Sequence, residues 1–365
     1  LLKYMKYILI FINTIIFFFV TDFILSNFIK DTKITTVEKN DSYDYSFIPD
    51  LDKKDRYGHL IFNLCTDNNS FRINCSDKNK KIKNKKNFDL IVIGDSFVEG
   101  IGLDHKDTFV GKLQITYPNL VIGNAGVRGY STINYLNKVK FLIDKNLIIK
   151  RLIVFIDISD LEDKKDILKI ETNNKKQYKK NERIEINNLN KLKEIIKKNF
   201  NYTYLLYFKI RQIYEKNILI KNQIFVNNLK NNIPAYNKNY YKSSWTYDLH
   251  NTLNSFNLIK ELESDLNKLF ILCKENNILC SIAVYPWPNQ ILYGKKKSKH
   301  TEFWKDFCLQ RCEKYLNIFP FFFKYLEKNN PMEVVIENYI YKDVHFNENG
   351  HKKIFDFFSS TFYEE

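Results

Sequence analysis

The chain has 365 residues, 44% hydrophobic and 16% aromatic, which supplies a sizeable core and excludes a wholly disordered protein. Ten Gly and seven Pro exclude collagen-like and Pro/Gly low-complexity chains. The net charge of +15 points first to nucleic acid, yet only seven of the 57 basic residues are Arg, and phosphate or base recognition leans on Arg forks. No nucleic-acid partner is expected, and the Lys excess reads as a solvated surface.

The first predicted element is a membrane helix. Tyr7 to Thr21 carry no charge, Asp22 interrupts, and an apolar run continues to Ile29. This approaches the ~20 residues that cross a bilayer. A secretory signal has a shorter apolar core and a small-residue cleavage site, and no Ala precedes Ala125. An uncleaved signal anchor over residues 1–29 is therefore expected, rather than a buried core helix. Lys3 and Lys6 precede the span while Lys30, Lys33 and Lys39 follow it, so lysine counting does not fix its orientation. Met5 reads as the start of the chain.

Residues 30–87 are polar, irregular and end in the run KNKKIKNKKN, which reads as an extended linker. Beyond it the texture changes. FDLIVI at Phe88–Ile93, Leu120–Ile122, RLIVFID at Arg151–Asp157 and LCSIAVY at Leu279–Tyr285 read as buried parallel strands. A fifth is expected at Leu316–Phe319, with Val334–Ile336 competing for that role. Helical patterns lie between and after them, at Asn254–Glu275, Thr301–Tyr315 and Glu348–Phe362. Strands alternating with helices predict an α/β domain over 88–365, a parallel sheet with helices on both faces. Residues 164–247 do not fit that rhythm. They hold helical patches at Leu189–Lys198 and Tyr204–Lys216, and read either as an inserted helical subdomain or lid, or as a floppy surface insertion.

The six cysteines fall as Cys65 and Cys75, Cys273 and Cys280, Cys308 and Cys312. An even count behind a membrane anchor fits an oxidising compartment, with Cys65–Cys75 the easiest pair to bridge. No spacing is C-x-x-C, which disfavours zinc. Cys280 reads as a small buried hydrophobe.

Ligands of an open α/β sheet bind beyond the carboxyl ends of its strands. Gly94-Asp95-Ser96-Phe97 follows the first strand, and Asn124-Ala125-Gly126-Val127-Arg128-Gly129-Tyr130-Ser131 the second. Ile158-Ser159-Asp160 follows the third and Tyr285-Pro286-Trp287-Pro288 the fourth, while Asp343-Val344-His345 precedes the last helix. Ser96 is a hydroxyl on a tight turn, His345 a general base, and Asp343 a carboxylate able to orient it. Gly129 can offer a backbone N–H unobstructed by a side chain. His105, His250, His300 and His351 read as solvent or cap residues, and His59 has no assigned role.

In this order the motifs resemble those of the SGNH/GDSL hydrolase superfamily: GDSF at Gly94–Phe97, NAGVRGYS at Asn124–Ser131 and DVHFNENGH at Asp343–His351. The resemblance covers about residues 88–362, the insertion excepted. It implies a flavodoxin-like three-layer α/β/α fold and ester chemistry with Ser96 as nucleophile. Asp343 and His345 match the acid and base, and the N–H groups of Ser96 and Gly129 match the oxyanion hole. The pattern has an Asn where this chain has Ser159, a weaker donor, followed by Asp160.

The D-x-H spacing is similar to the branch that contains polysaccharide O-acetyltransferases of the alginate type. That implies an acyl ester, acetyl and carbohydrate-linked, with Arg128, Tyr130, Tyr285 and Trp287 lining the pocket rim; Trp287 packing on the sheet as part of a rigid turn is the competing reading. The expected protein is a membrane-anchored serine esterase with its catalytic domain on the extracytoplasmic, periplasmic side. An O-acetyltransferase on the same site and a non-catalytic glycan-binding module are the alternatives. No metal or organic cofactor is called for.

Overall fold

Polar segments enter the sheet well before the apolar strands do. The structure, a computed structural model, describes residues 2–28, 36–40, 44–77, 85–161, 199–219, 223–247, 256–294 and 298–362. They divide into two compact units, residues 1–34 with 177–221 and residues 35–176 with 222–365.

In the larger unit β1 (Val37–Asn40) and β2 (Asp44–Phe47) pair antiparallel as a separate ribbon. β3 (Asp52–Tyr57), β4 (Leu60–Thr66) and β5 (Arg72–Ile73) then add antiparallel strands to the main sheet. The linker expected over residues 30–87 is thus corrected: much of it is sheet. Its outermost strand, β3, is charged and has no buried residue, as an edge tolerates. β3 shows Lys53 and Lys54 to solvent, and β4 buries Phe62 and Leu64.

β6 (Asn87–Ile93), β7 (Ile122–Asn124), β8 (Ile148–Ile156), β9 (Leu279–Val284) and β10 (Tyr315–Asn317) are the parallel strands. Ile91, Val92, Ile282 and Val284 are fully buried, because helices cover both faces. The order across the sheet is β10-β9-β8-β6-β7-β5-β4-β3. The parallel part runs second, first, third, fourth, fifth, the flavodoxin-like order. The step from β6 to β7 and the step from β7 to β8 run in opposite directions, so right-handed crossovers place their helices on opposite faces. Helix Phe109–Thr116 packs with Glu348–Phe362 on one face, and Thr132–Asp144 with Phe256–Glu275 on the other. The result is the expected three-layer α/β/α arrangement.

Val334–Ile336 is no strand. Asn330 caps a helix at Pro331–Asn338, its side chain accepting from the Met332 N–H at 2.9 Å, and proline suits the first helical position. The helix expected over Thr301–Tyr315 spans Lys299–Cys308. Disulfides join Cys65 to Cys75 and Cys308 to Cys312, while Cys273 and Cys280 are buried thiols. His105, His300 and His351 are buried rather than solvent residues; His250 lies outside the described residues.

The smaller unit contains the helices Leu2–Phe28 and Asn201–Leu219. Tyr4–Ser26 is long and apolar enough to cross a bilayer, with mean hydropathy 2.5 and exposed apolar side chains. Asp22, the charge that interrupts it, is buried beside Ser26. The backbone N–H groups of Tyr202 and Thr203 donate to its carboxylate at 3.1 and 2.7 Å, and that of Asn201 donates to Ser26 Oγ at 2.8 Å. These are orphan donors at the start of the second helix, so the interruption is explained as a cap supplied by another helix. The expected patch Tyr204–Lys216 lies inside that helix, and Leu189–Lys198 lies outside the described residues. Residues 223–247 belong to the larger unit, so the insertion expected over 164–247 is divided between the two.

Candidate active site

Ser96 sits at the switch point of the sheet, where the chain leaves β6 and the strand order reverses. Asp95, two residues beyond the strand, caps the short helix Ser96–Glu99, accepting from the Phe97 N–H at 2.9 Å. Gly94 makes the turn tight: a Cβ there would stand 2.5 Å from Val98 and 3.1 Å from Phe155. The hydroxyl of Ser96 therefore projects beyond the carboxyl edge of the sheet.

His345 meets it from the other end of the chain. Ser96 Oγ and His345 Nε2 are 2.7 Å apart, and His345 Nδ1 lies 2.5 Å from Asp343 Oδ1. The same carboxylate oxygen accepts the backbone N–H of His345 at 3.0 Å. That bond explains how a carboxylate only two residues away reaches the imidazole: the backbone turns between them. Burial works to raise the pKa of Asp343, but the bond and charge of His345, with the Tyr57 hydroxyl, hold it below its usual value. The carboxylate is therefore ionised at neutral pH. Phe97 packs on the imidazole at 4.9 Å.

Gly129 reaches the site in a left-handed conformation, φ +78°, and a Cβ there would come 2.8 Å from the Tyr45 hydroxyl. Among the described residues no hydrogen bond occupies the backbone N–H of Ser96 or Gly129. Ser159 also lines the site, but its N–H donates to Asp157 Oδ1 at 2.6 Å and its hydroxyl bonds the same carboxylate. It is not aimed at an oxyanion.

A cavity of about 430 Å³ opens over these groups, within the size range of small-ligand sites. Trp287 lines it, as expected, and donates from Nε1 to Asp157 Oδ2 at 2.8 Å. Three expected rim residues do not line it. Tyr285 is buried and donates to Asp157 at 2.6 Å. Tyr130 is buried and donates to the Tyr45 carbonyl. Arg128 is bound to the fully buried Glu99, and to Asp55 at 2.6 Å. A buried carboxylate needs that cation, so Arg128 ties the Gly129 turn to the Ser96–Glu99 helix.

Two contributions escaped the sequence reading. Pro234, Ala235 and Tyr240 wall the cavity, from a segment read as part of an insertion. Tyr57 lines it from β3 and donates its hydroxyl to Asp343 Oδ2 at 2.9 Å. The available signal was the pair Gly58-His59 between DKKDRY and LIFNLCT, a two-residue connection between strand-like runs.

Fold and site together define a class: a three-layer α/β/α protein carrying a hydroxyl–imidazole–carboxylate chain at the carboxyl edge of its parallel sheet. Among solved structures the chain is similar to the psychrotrophic esterase EstA from Pseudoalteromonas sp., at 11% identity, TM-score 0.37, covering 77% of this chain and 98% of that one. It is similar to TesA at 12% identity and TM-score 0.38, covering 75% and 98%. LAE5, an alpha/beta hydrolase enzyme from the metagenome of Lake Arreo, is 13% identical with a TM-score of 0.40, covering 75% and 94%. No family model and no curated protein matches the chain. The chemical reading of the site rests on its own distances.

Proposed function

We propose that the protein is a membrane-anchored serine esterase of SGNH/GDSL type that cleaves O-acyl esters through an acyl-enzyme. The observation that carries this reading is the unbroken chain from Ser96 Oγ to His345 Nε2 at 2.7 Å and from His345 Nδ1 to Asp343 at 2.5 Å. Ser96 Oγ attacks the ester carbonyl while its proton passes to His345 Nε2. Asp343 stabilises the imidazolium, and the N–H groups of Ser96 and Gly129 face the developing oxyanion. The alcohol leaves with the proton from His345. Water then attacks the acyl-Ser96 ester, again through His345, and regenerates the free hydroxyl.

Acetyl esters on envelope carbohydrate are the substrates we infer, from the resemblance to the D-x-H branch. The aromatic wall of Tyr240 and Trp287 suits sugar rings. The apolar helix Tyr4–Ser26 supports anchoring, and two disulfides favour an oxidising, extracytoplasmic compartment. Transfer to a sugar hydroxyl in place of water would use the same three side chains.

The test is labelling of the full-length chain in detergent with a fluorophosphonate, beside Ser96→Ala and His345→Ala. Labelling of the wild type is expected to vanish in the first variant and fall by about 10³-fold or more in the second. A folded wild type that does not label would sink the esterase and favour a glycan-binding role.

A further inference from the structure

Asp343 has two carboxylate oxygens, and the serine–histidine chain uses one. The other, Oδ2, is occupied by the Tyr57 hydroxyl at 2.9 Å. The Tyr57 oxygen also lies 3.1 Å from His345 Nδ1, and its ring meets the imidazole edge-on at 5.2 Å and 85°. These bonds form a closed ring of three groups. The Nδ1–H points to Asp343 Oδ1 with the phenol oxygen beside it, and the phenol proton goes to Oδ2.

We propose that Tyr57 is a positioning residue for the His345–Asp343 pair, fixing the rotation of the carboxylate and of the imidazole so that Nε2 stays aimed at Ser96. The proposal rests on the esterase reading for its kinetic consequence. It rests on the three contacts alone for its structural one.

Two features suit Tyr57 to this role. Burial, and then the charge of Asp343, push its pKa above the ordinary phenol value, so the hydroxyl keeps the proton it donates throughout the working range. Its strand is also held in place. Asp55, two residues earlier and therefore on the same side of β3, accepts from Arg128 at 2.6 Å, and Arg128 also binds Glu99 at the end of the nucleophile's helix. One guanidinium thus joins the strand that carries Tyr57 to the helix that begins at Ser96. The hairpin closes at the Tyr57–Leu60 pair, with Gly58 at φ +58° in the turn. Ser96 and His345 come from opposite ends of the parallel domain, and β3 registers the histidine end against the nucleophile end.

The test is Tyr57→Phe in the full-length protein, which keeps the ring and deletes the hydroxyl, read in two ways. The first is hydrolysis of p-nitrophenyl acetate. We expect kcat to fall roughly tenfold, in keeping with loss of a hydrogen bond to a charged group, while KM stays within about twofold. The fluorophosphonate labelling rate should fall by the same factor. Unchanged kcat, or a rise in KM alone, would overturn the positioning role, the latter because it would place Tyr57 against substrate. The second reading needs no turnover. The ring N–H proton shared by His345 and Asp343 should give a downfield NMR resonance. Tyr57→Phe should move it, since Oδ2 loses the donor that draws charge from the carboxylate. A resonance that does not move overturns the proposal even in a protein with no esterase activity, and one that moves in such a protein upholds it while the esterase reading falls. Tyr57→Ala, which removes the ring as well, should lower kcat at least as far as Tyr57→Phe. Tyr57→Ala activity above that of Tyr57→Phe would also overturn it.

Discussion

Ser159 occupies the place where the SGNH pattern has an asparagine that donates a side-chain N–H to the oxyanion. Its own donors serve Asp157, a buried carboxylate that also takes the Tyr285 hydroxyl and the Trp287 indole. Burial pushes the Asp157 pKa up even against these donors, so each bond it keeps matters to the fold. In the proposed mechanism the oxyanion is then left to two backbone amides. Removal of the Ser159 hydroxyl should accordingly change kcat/KM for a short acyl ester by less than about threefold, whereas loss of a true oxyanion donor costs on the order of 10²–10³. Steady-state kinetics of Ser159→Ala decide this, and a hundredfold loss would return the hydroxyl to the reaction.

The elements differ in how far they could be read before the structure. β6, β8 and β9 were legible because each holds an apolar run buried on both faces and followed by Gly, Asp or Pro, whereas β10, with only Leu316 buried, was read beside a competitor. Ser96, Asp343 and His345 were legible for the same reason, being the polar residues that follow such stops or precede the last helix. β3 was not: DKKDRY carries five charges in six residues, as a sheet edge tolerates, so no apolar period betrayed it. Tyr57 was hidden with it. The cavity wall at 234–247 was hidden differently: its buried Ala235, Tyr236 and Trp245 follow no strand or helix period, and hydrogen bonds help to fasten it. Asn289 donates to the carbonyls of Pro234 and Asn237 at 3.1 and 2.7 Å, and Trp245 donates to that of Ile158 at 3.1 Å. Asn289→Ala removes two of these ties without touching the reacting groups. It should raise KM about five- to tenfold with kcat within about twofold, and speed amide exchange over residues 234–240. An unchanged KM together with unchanged exchange would show that the wall stands without Asn289.

At the scale of the sheet-bearing unit, three histidines tie stability to pH. His105, His300 and His351 are fully buried, and burial pulls each to about 3. His105 meets Gln114 through Nε2 at 3.1 Å, His351 accepts from the Phe109 N–H at 3.3 Å, and His300 lies between Trp245 and Phe319. An unfolded histidine titrates near 6.5. Between about 6.5 and 3 the unfolded chain therefore holds protons that the folded chain refuses, and stability present above 6.5 is lost as pH falls. Asp343, held low, acts in the same sense at the acid end. Asp67 opposes them: burial raises its carboxyl to about 6, so over roughly pH 4–6 the folded state binds the extra proton there. Asp157, which burial also raises, opposes them in the same way, and three histidines against these two carboxyls still leave a net uptake of protons on unfolding. Lys138, buried and pulled to about 7, continues the rise in stability above neutrality, because the unfolded ammonium keeps its proton to about 10. Denaturant unfolding at pH 8, 7, 6 and 5 should show stability falling throughout and fastest below 6. His300→Phe, which keeps an aromatic ring between Trp245 and Phe319, should make the acid limb shallower by about one proton. Stability that stays level from pH 7 to pH 5 would mean that these imidazoles protonate in place and that the unit's core admits water.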